Sequence, residues 1–164
     1  MRPSPNRSNT LSAVGHLAEE GLHHLVGYQL AQASVTTTQV FNDAVGSSLE
    51  LRPVEFTILA LVDENAGVSA KQLALSLAVA PPNMTVWIDR LERRGLVQRE
   101  RSTTDRRAQH IRTTPPGAKL ARDAVQRIAA AEGVTLAGLS AAERAMLVEL
   151  LHKVAGARVK ARRA

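Results

Sequence analysis

Apolar residues recur along this chain with helical spacing over most of its length, and with alternating spacing over one short stretch; the changes of period mark its elements. From about Val14 to Val45 the positions Leu17, Leu22, Leu25, Val26, Leu30, Val40, Phe41 and Val45 allow one long helix, closed by Gly46-Ser47-Ser48. The β-branched cluster Val35-Thr36-Thr37-Thr38 weakens that helix and is where a kink or break is expected. Pro53 opens a second helix reaching about Glu64, and Val54, Phe56, Ile58, Leu59, Leu61 and Val62 nearly surround it. A helix apolar on most sides is buried, so this one belongs at the centre. Asn65-Ala66-Gly67 ends it, and Val68 can add a residue or two of strand.

Ser69 and Gln72 stand at capping-box spacing, which starts a short helix carrying Leu73 and Leu77 on one face. Ala78-Val79-Ala80 ends it, and Pro81 and Pro82 open the next helix, where a missing amide hydrogen costs nothing. Met84, Trp87, Ile88 and Leu91 then fall at i, i+3, i+4 and i+7, so the opposite face holds Pro82, Asn83, Thr85, Val86, Asp89, Arg90 and Arg93. Gly95 suits a left-handed cap. Leu96 to Arg101 alternates as a strand, and His110 to Thr113 can pair back on it across a loop from Ser102 to Gln109 that carries Arg106 and Arg107.

Two helices joined tightly, the second with hydrogen-bonding side chains on its first turns, fit a DNA major groove. Adjacent arginines on a protruding loop suit a phosphate backbone or a narrow minor groove. Taken alone, the helix is also compatible with an ordinary surface helix and the loop with a solvated charge run. Helix, turn, helix and basic hairpin together favour DNA.

Beyond the hairpin, Thr114 can cap a helix with Pro115 at its first position, carried by Leu120, Val125, Ile128, Val134 and Leu136 towards Gly138, with Gly133 interrupting or ending it. Ser140 and Glu143 repeat the capping-box spacing ahead of a last helix with a wide stripe of Met146, Leu147, Leu150, Leu151 and Val154. The first and last helices carry more apolar face than the module between them can cover. Burial across a twofold axis accounts for the excess and places two reading helices about one DNA turn apart, which predicts a homodimer on an inverted-repeat operator.

The fold class expected is therefore mainly α: a winged helix-turn-helix with a small β-hairpin wing, plus N- and C-terminal helices forming a dimerisation region. The division expected is a disordered arm over 1–12, a helical dimerisation region over 13–50 and 115–157, the DNA-binding domain over 51–114, and a basic tail over 158–164.

The ordered runs Leu51-Arg52-Pro53-x-Glu55-Phe56-x-Ile58-Leu59, Ser69-x-x-Gln72-Leu73-Ala74, Asp89-Arg90-Leu91-Glu92-Arg93-Arg94-Gly95-Leu96-Val97, Asp105-Arg106-Arg107-Ala108 and Thr114-Pro115-x-Gly117 resemble the MarR (multiple antibiotic resistance regulator) family over roughly Gly15 to Ala157. The resemblance implies a dimeric winged-helix transcription regulator, in most members a repressor, and in many one that leaves DNA when a small, often aromatic, anion binds. The chain departs from the family pattern at Ala80 and Pro82, where Ser or Thr is usual, and at Val86, often Arg. Base reading therefore transfers to Asn83 and Thr85 more securely than to Val86, which offers apolar contact such as to a thymine methyl. Arg106 and Arg107 are expected on the wing, with Ser69, Lys71 and Arg90 holding phosphates. Trp87 is expected to pack inside.

Composition narrows the partners. The 164 residues are 45% hydrophobic but only 2% aromatic, so the core is aliphatic. A formal charge of +6 and a pI near 10.7 favour a polyanion, nucleic acid ahead of a membrane surface. The chain has no cysteine, which removes disulfides, thiolate metal sites and thiol-based sensing. No signal-peptide pattern or long apolar run appears, and a cytoplasmic protein is expected.

No catalytic, metal-binding or phosphate-cradling pattern emerges, so neither cofactor nor enzymatic activity is expected. His24, Tyr28 and Gln32, spaced by four, form a polar stripe on the first helix that, with Arg52, could orient an organic anion; a dimer-interface or solvent stripe is the other reading. The rival function is a winged helix used only for dimerisation or interaction, ahead of a catalytic domain. Such a module would not need clustered wing arginines.

Overall fold

A computed structural model describes residues 11–101 and 109–161, with side chains described over 11–100 and 109–157. The elements are α1 (Val26–Phe41), a π-helical turn (Asn42–Gly46), α2 (Pro53–Glu64), α3 (Ala70–Leu77), α4 (Pro81–Arg93), β1 (Val97–Arg101), β2 (Gln109–Thr113), α5 (Pro115–Thr135) and α6 (Ala141–Ala161). The mainly helical class and the two-stranded wing follow the sequence reading. The strands pair antiparallel from Val97 opposite Thr113 to Arg101 opposite Gln109. Val68 adds the expected single bridge, to Ile111.

The first helix differs from expectation. It begins at Val26 and not near Val14, because Gly15 and His16 both take positive φ, 82° and 51°, and fold the preceding chain back so that Leu11 bridges Ala18. No break falls at Val35–Thr38. Thr37 turns its hydroxyl onto the Ser34 carbonyl at 3.3 Å, which accommodates a β-branched residue on an exposed helix face. The irregularity comes later, in the π-helical turn that carries Val45 into the core. Gly133 neither interrupts nor ends α5, which continues to Thr135. The backbone of Arg158–Ala161, read as tail, continues α6.

α2 lies at the centre as its composition requires: Ile58 and Leu59 are fully buried, and α4, α5 and β2 all pack on it. Leu73, Met84, Ile88, Leu91, Val97, Ile111, Ala121 and Ala124 complete the aliphatic core, with Trp87 half-buried against it. The two phenylalanines, Phe41 and Phe56, meet at 5.7 Å between ring centroids and tie α1 to α2.

The ends of the chain are packed differently. No described residue of α6 is buried, and Met146, Leu147, Leu150, Leu151 and Val154 all stand in solvent, as do Leu17, Leu25 and Val26 near the start of α1. Apolar surface this extensive is rarely left bare. Among the described residues no helix is long and apolar enough to cross a membrane.

Candidate nucleic-acid interface

The helix-turn-helix is built from local chemistry that the sequence announces. Ser69 accepts from the Gln72 amide at 3.3 Å while Gln72 Oε1 accepts from the Ser69 amide at 3.0 Å and hydroxyl at 2.8 Å, closing the capping box of α3. Ala78 then takes a left-handed conformation (φ 52°), which turns the chain within a few residues towards Pro81 at the first position of α4. A non-glycine residue there is strained, so the turn is held by what it joins. Between the two helices runs a groove of about 740 Å³ whose walls include Lys71, Leu75, Val79, Pro81 and Thr85.

α4 divides as its pattern predicts. Met84, Ile88 and Leu91 are fully buried, while Pro82, Asn83, Thr85 and Val86 are exposed. Val86 is 58% exposed on this face, and Leu75 of α3 is 61% exposed. Thr85 donates its hydroxyl proton back to the Pro81 carbonyl at 3.2 Å, so its lone pairs and methyl group are what it can offer outward.

The wing is fastened to this helix. Arg99 of β1 pairs with both Asp89 and Glu92 of α4, so the guanidinium bridges one turn of the helix to the strand. Arg112 and Glu100 pair across the hairpin at 2.7 Å. At its base Thr114 donates to the Gly95 carbonyl at 2.6 Å and accepts from the Gly117 amide at 3.2 Å, capping α5 as expected. Gly95 adopts φ 68°, the left-handed position read from the sequence. Arg106 and Arg107, expected at the wing tip, lie outside the described residues.

The run from Asp89 to Gly95 is largely a joining strip. Leu91 enters the core, Asp89 and Glu92 hold Arg99, and Arg94 donates to the carbonyls of Glu50 at 2.7 Å and Leu49 at 3.0 Å. Arg90 brings its Nε to 2.9 Å from Oε1 of Glu55, a carboxylate buried completely beneath it. The spacing is that of an ion pair without an aligned hydrogen bond, since Oε1 lacks one. Glu55 Oε2 meanwhile accepts from the Arg52 amide at 3.0 Å at the start of α2. Sequence reading placed Arg90 among the phosphate-holding groups and missed Glu55, Arg94 and Arg99. A charged residue at position 55, in the first turn of a helix whose middle is mostly apolar, was the available signal for a buried partner.

The anion-binding candidates do not form one cluster. His24 precedes α1, whereas Tyr28 and Gln32 lie on it, so the proposed spacing of four along a single helix does not hold. Tyr28 instead donates to Glu19 Oε2 at 2.7 Å, and His23 Nδ1 lies 2.7 Å from Glu19 Oε1. The hydrogen bond with His23, and then that from Tyr28, hold the Glu19 carboxyl below its ordinary pKa; the carboxylate in turn raises that of the Tyr28 hydroxyl. Arg52 lies at a separate recess, with Arg90 and Arg94.

A family model described as MarR family matches residues 51–108, the segment from the start of the central helix into the wing. Among solved structures, the transcriptional repressor CouR bound to a 23-mer DNA duplex is 30% identical, covering 85% of this chain and 98% of that one with a TM-score of 0.77. CouR from Rhodococcus jostii bound to p-coumaroyl-CoA is 28% identical over 80% of this chain and 92% of that one, with a TM-score of 0.72. A curated relative from Thauera aromatica, a putative transcriptional regulatory protein for the hcr operon, is 27% identical over 129 residues, 79% of this chain and 78% of that protein.

Proposed function

The chain belongs to the MarR family, and from that premise we propose that it is a homodimeric, sequence-specific DNA-binding transcription regulator, a repressor released by a small organic anion. One observation carries the reading: α4 commits one edge wholly to the core and leaves Asn83, Thr85 and Val86 in solvent, while Arg99 fixes the wing to that same helix. A reading head and a backbone clamp held rigidly together are what double-stranded DNA requires.

In this reading Asn83 reaches a base edge, adenine being the natural partner for its carboxamide. Thr85 meets a base as an acceptor because its proton is already given to Pro81. Pro82 and Val86 make apolar contact. Lys71 faces phosphate, and Arg106 and Arg107 extend the grip from the wing. Ser69 and Arg90 join it only as far as the capping box and the Glu55 pair leave them free.

That CouR, a repressor, has been solved both with a duplex and with an aromatic thioester supports a repressor with an acidic, aromatic effector. His24, Tyr28 and Gln32 are assigned to the surface where a second copy packs, and Arg52 to the anion. The protein acts by binding, with no catalytic role or cofactor, and works in the cytoplasm.

Selection from a random duplex library tests the proposal. An inverted repeat should be enriched, and Asn83→Ala should lose roughly tenfold of its preference for that site over a variant with the contacted base changed. Equal loss of affinity for selected and random DNA would remove base reading from Asn83, and enrichment of no motif would remove sequence-specific binding altogether.

A further inference from the structure

Exposed hydrocarbon dominates the surface that α3 and α4 share. Lys71 and Leu75 lie one turn apart on α3, and Leu75 is 61% exposed. Pro81 and Thr85, one turn apart on α4, form the facing wall of the 740 Å³ groove, and Val79 of the connecting turn lines it too. Pro82 and Val86 make the next row round α4, with Val86 58% exposed. Polar groups are few here. Thr85 has given its proton to the Pro81 carbonyl, and Asn83 supplies the one carboxamide of α4. In the DNA major groove every base pair presents donors and acceptors, but only one apolar feature, the C5 methyl of thymine; 5-methylcytosine carries the same group at the same position. Leucine and valine gain by covering that methyl, whereas covering a bare polar edge strips water from it and returns no hydrogen bond.

We propose that the groove between α3 and α4 reads the 5-methyl group of pyrimidines, with Leu75 as a specificity-determining residue beside Val86. The inference rests on the DNA-binding reading and deepens it by naming what the groove receives. The occupant is the duplex because the groove is continuous with the reading face: Thr85 belongs both to its wall and to the exposed side of α4. Lys71, one turn from Leu75, is placed to hold a phosphate of the same duplex while Leu75 meets a base. Two consequences follow for the operator. Each half-site contains thymine where Leu75 and Val86 fall, and cytosine methylation at such a position tightens binding.

Replacing thymine by deoxyuridine removes the methyl and leaves the hydrogen-bonding edge unchanged. In a duplex obtained by selection, each half-site thymine is replaced in turn, and dissociation constants are measured for the parent chain, Leu75→Ala and Val86→Ala. The parent should bind about three- to fourfold more weakly at two or more positions, the effect of one buried methyl at each. In Leu75→Ala the ratio of uracil to thymine dissociation constants should fall to about one at one of those positions and persist at another, which Val86→Ala abolishes in turn. Leu75→Met should keep part of the discrimination. Leu75 is exposed, so its replacement should leave the helices intact, which circular dichroism checks. Each ratio is taken on one protein, so a general loss of affinity cancels.

Cytosine and 5-methylcytosine, each placed opposite guanine at the position sensitive to Leu75, give the converse measurement. The methylated base should bind the parent about threefold more tightly than cytosine, and Leu75→Ala should not distinguish the two. Equal affinity for thymine and uracil duplexes at every position, ratios unchanged in Leu75→Ala, or a selected motif without half-site thymine would each overturn the inference. Indifference to uracil in a chain that still prefers its selected motif removes this inference alone. Enrichment of no motif removes the DNA-binding reading and this inference with it.

Discussion

Gly117 shows how one residue can matter for a reason that only packing supplies. A Cβ built on it would lie 1.8 Å from the Leu96 carbonyl oxygen, so α5 starts hard against the base of the wing. Gly117→Ala must displace backbone, and it should cost roughly 1–3 kcal/mol, a fall of several degrees in melting temperature. Gly133 is the matched control: it lies inside α5 with nothing nearer its Cβ position than the Arg144 guanidinium at 4.0 Å. Gly133→Ala should stabilise by roughly 0.5–1 kcal/mol through helix propensity. Equal melting temperatures for the two variants would contradict this account of the α5 start. The sequence displayed Gly117 within a recognisable run but could not give its cause, because Leu96 is brought to it only by folding of the hairpin. The same holds for Glu55 and Arg90, thirty-five positions apart and joined only when α2 meets α4.

Elements were legible where local chemistry and periodicity agree. Both serine capping boxes, the proline start of α4, the Gly95 cap and the threonine cap of α5 all stand where their residues predicted. Prediction failed at the start of α1, because apolar spacing continues through residues whose backbone is turned left-handed at Gly15 and His16, and periodicity does not report φ. Nor did the strands reveal how the wing is held. Arg99 reads as one more basic residue in β1 until Asp89 and Glu92 are seen to converge on it. Since the guanidinium is largely shielded while its partners are half-exposed, Arg99→Ala should lower duplex affinity by roughly fivefold for selected and random sequences alike. Arg112→Ala, which breaks an exposed pair within the hairpin, should change it little. Unchanged affinity in Arg99→Ala would show that the wing needs no brace.

At the scale of the molecule, the winged helix has a closed core and the flanking helices do not. α6 buries none of its described residues, and none of them joins the described hydrophobic core. The stripe was visible in the sequence as Met146, Leu147, Leu150, Leu151 and Val154, and the inference that a second copy covers it came from surplus apolar area alone. Pairing through these helices is also what would place two α4 helices on one duplex. Native mass spectrometry of the chain with a duplex obtained by selection measures that arrangement directly. The account predicts two copies per duplex in the parent chain, and in Leu150→Glu a monomer with no stable complex. A parent chain that binds the selected duplex as one copy, or a Leu150→Glu variant that still binds as two, would contradict it.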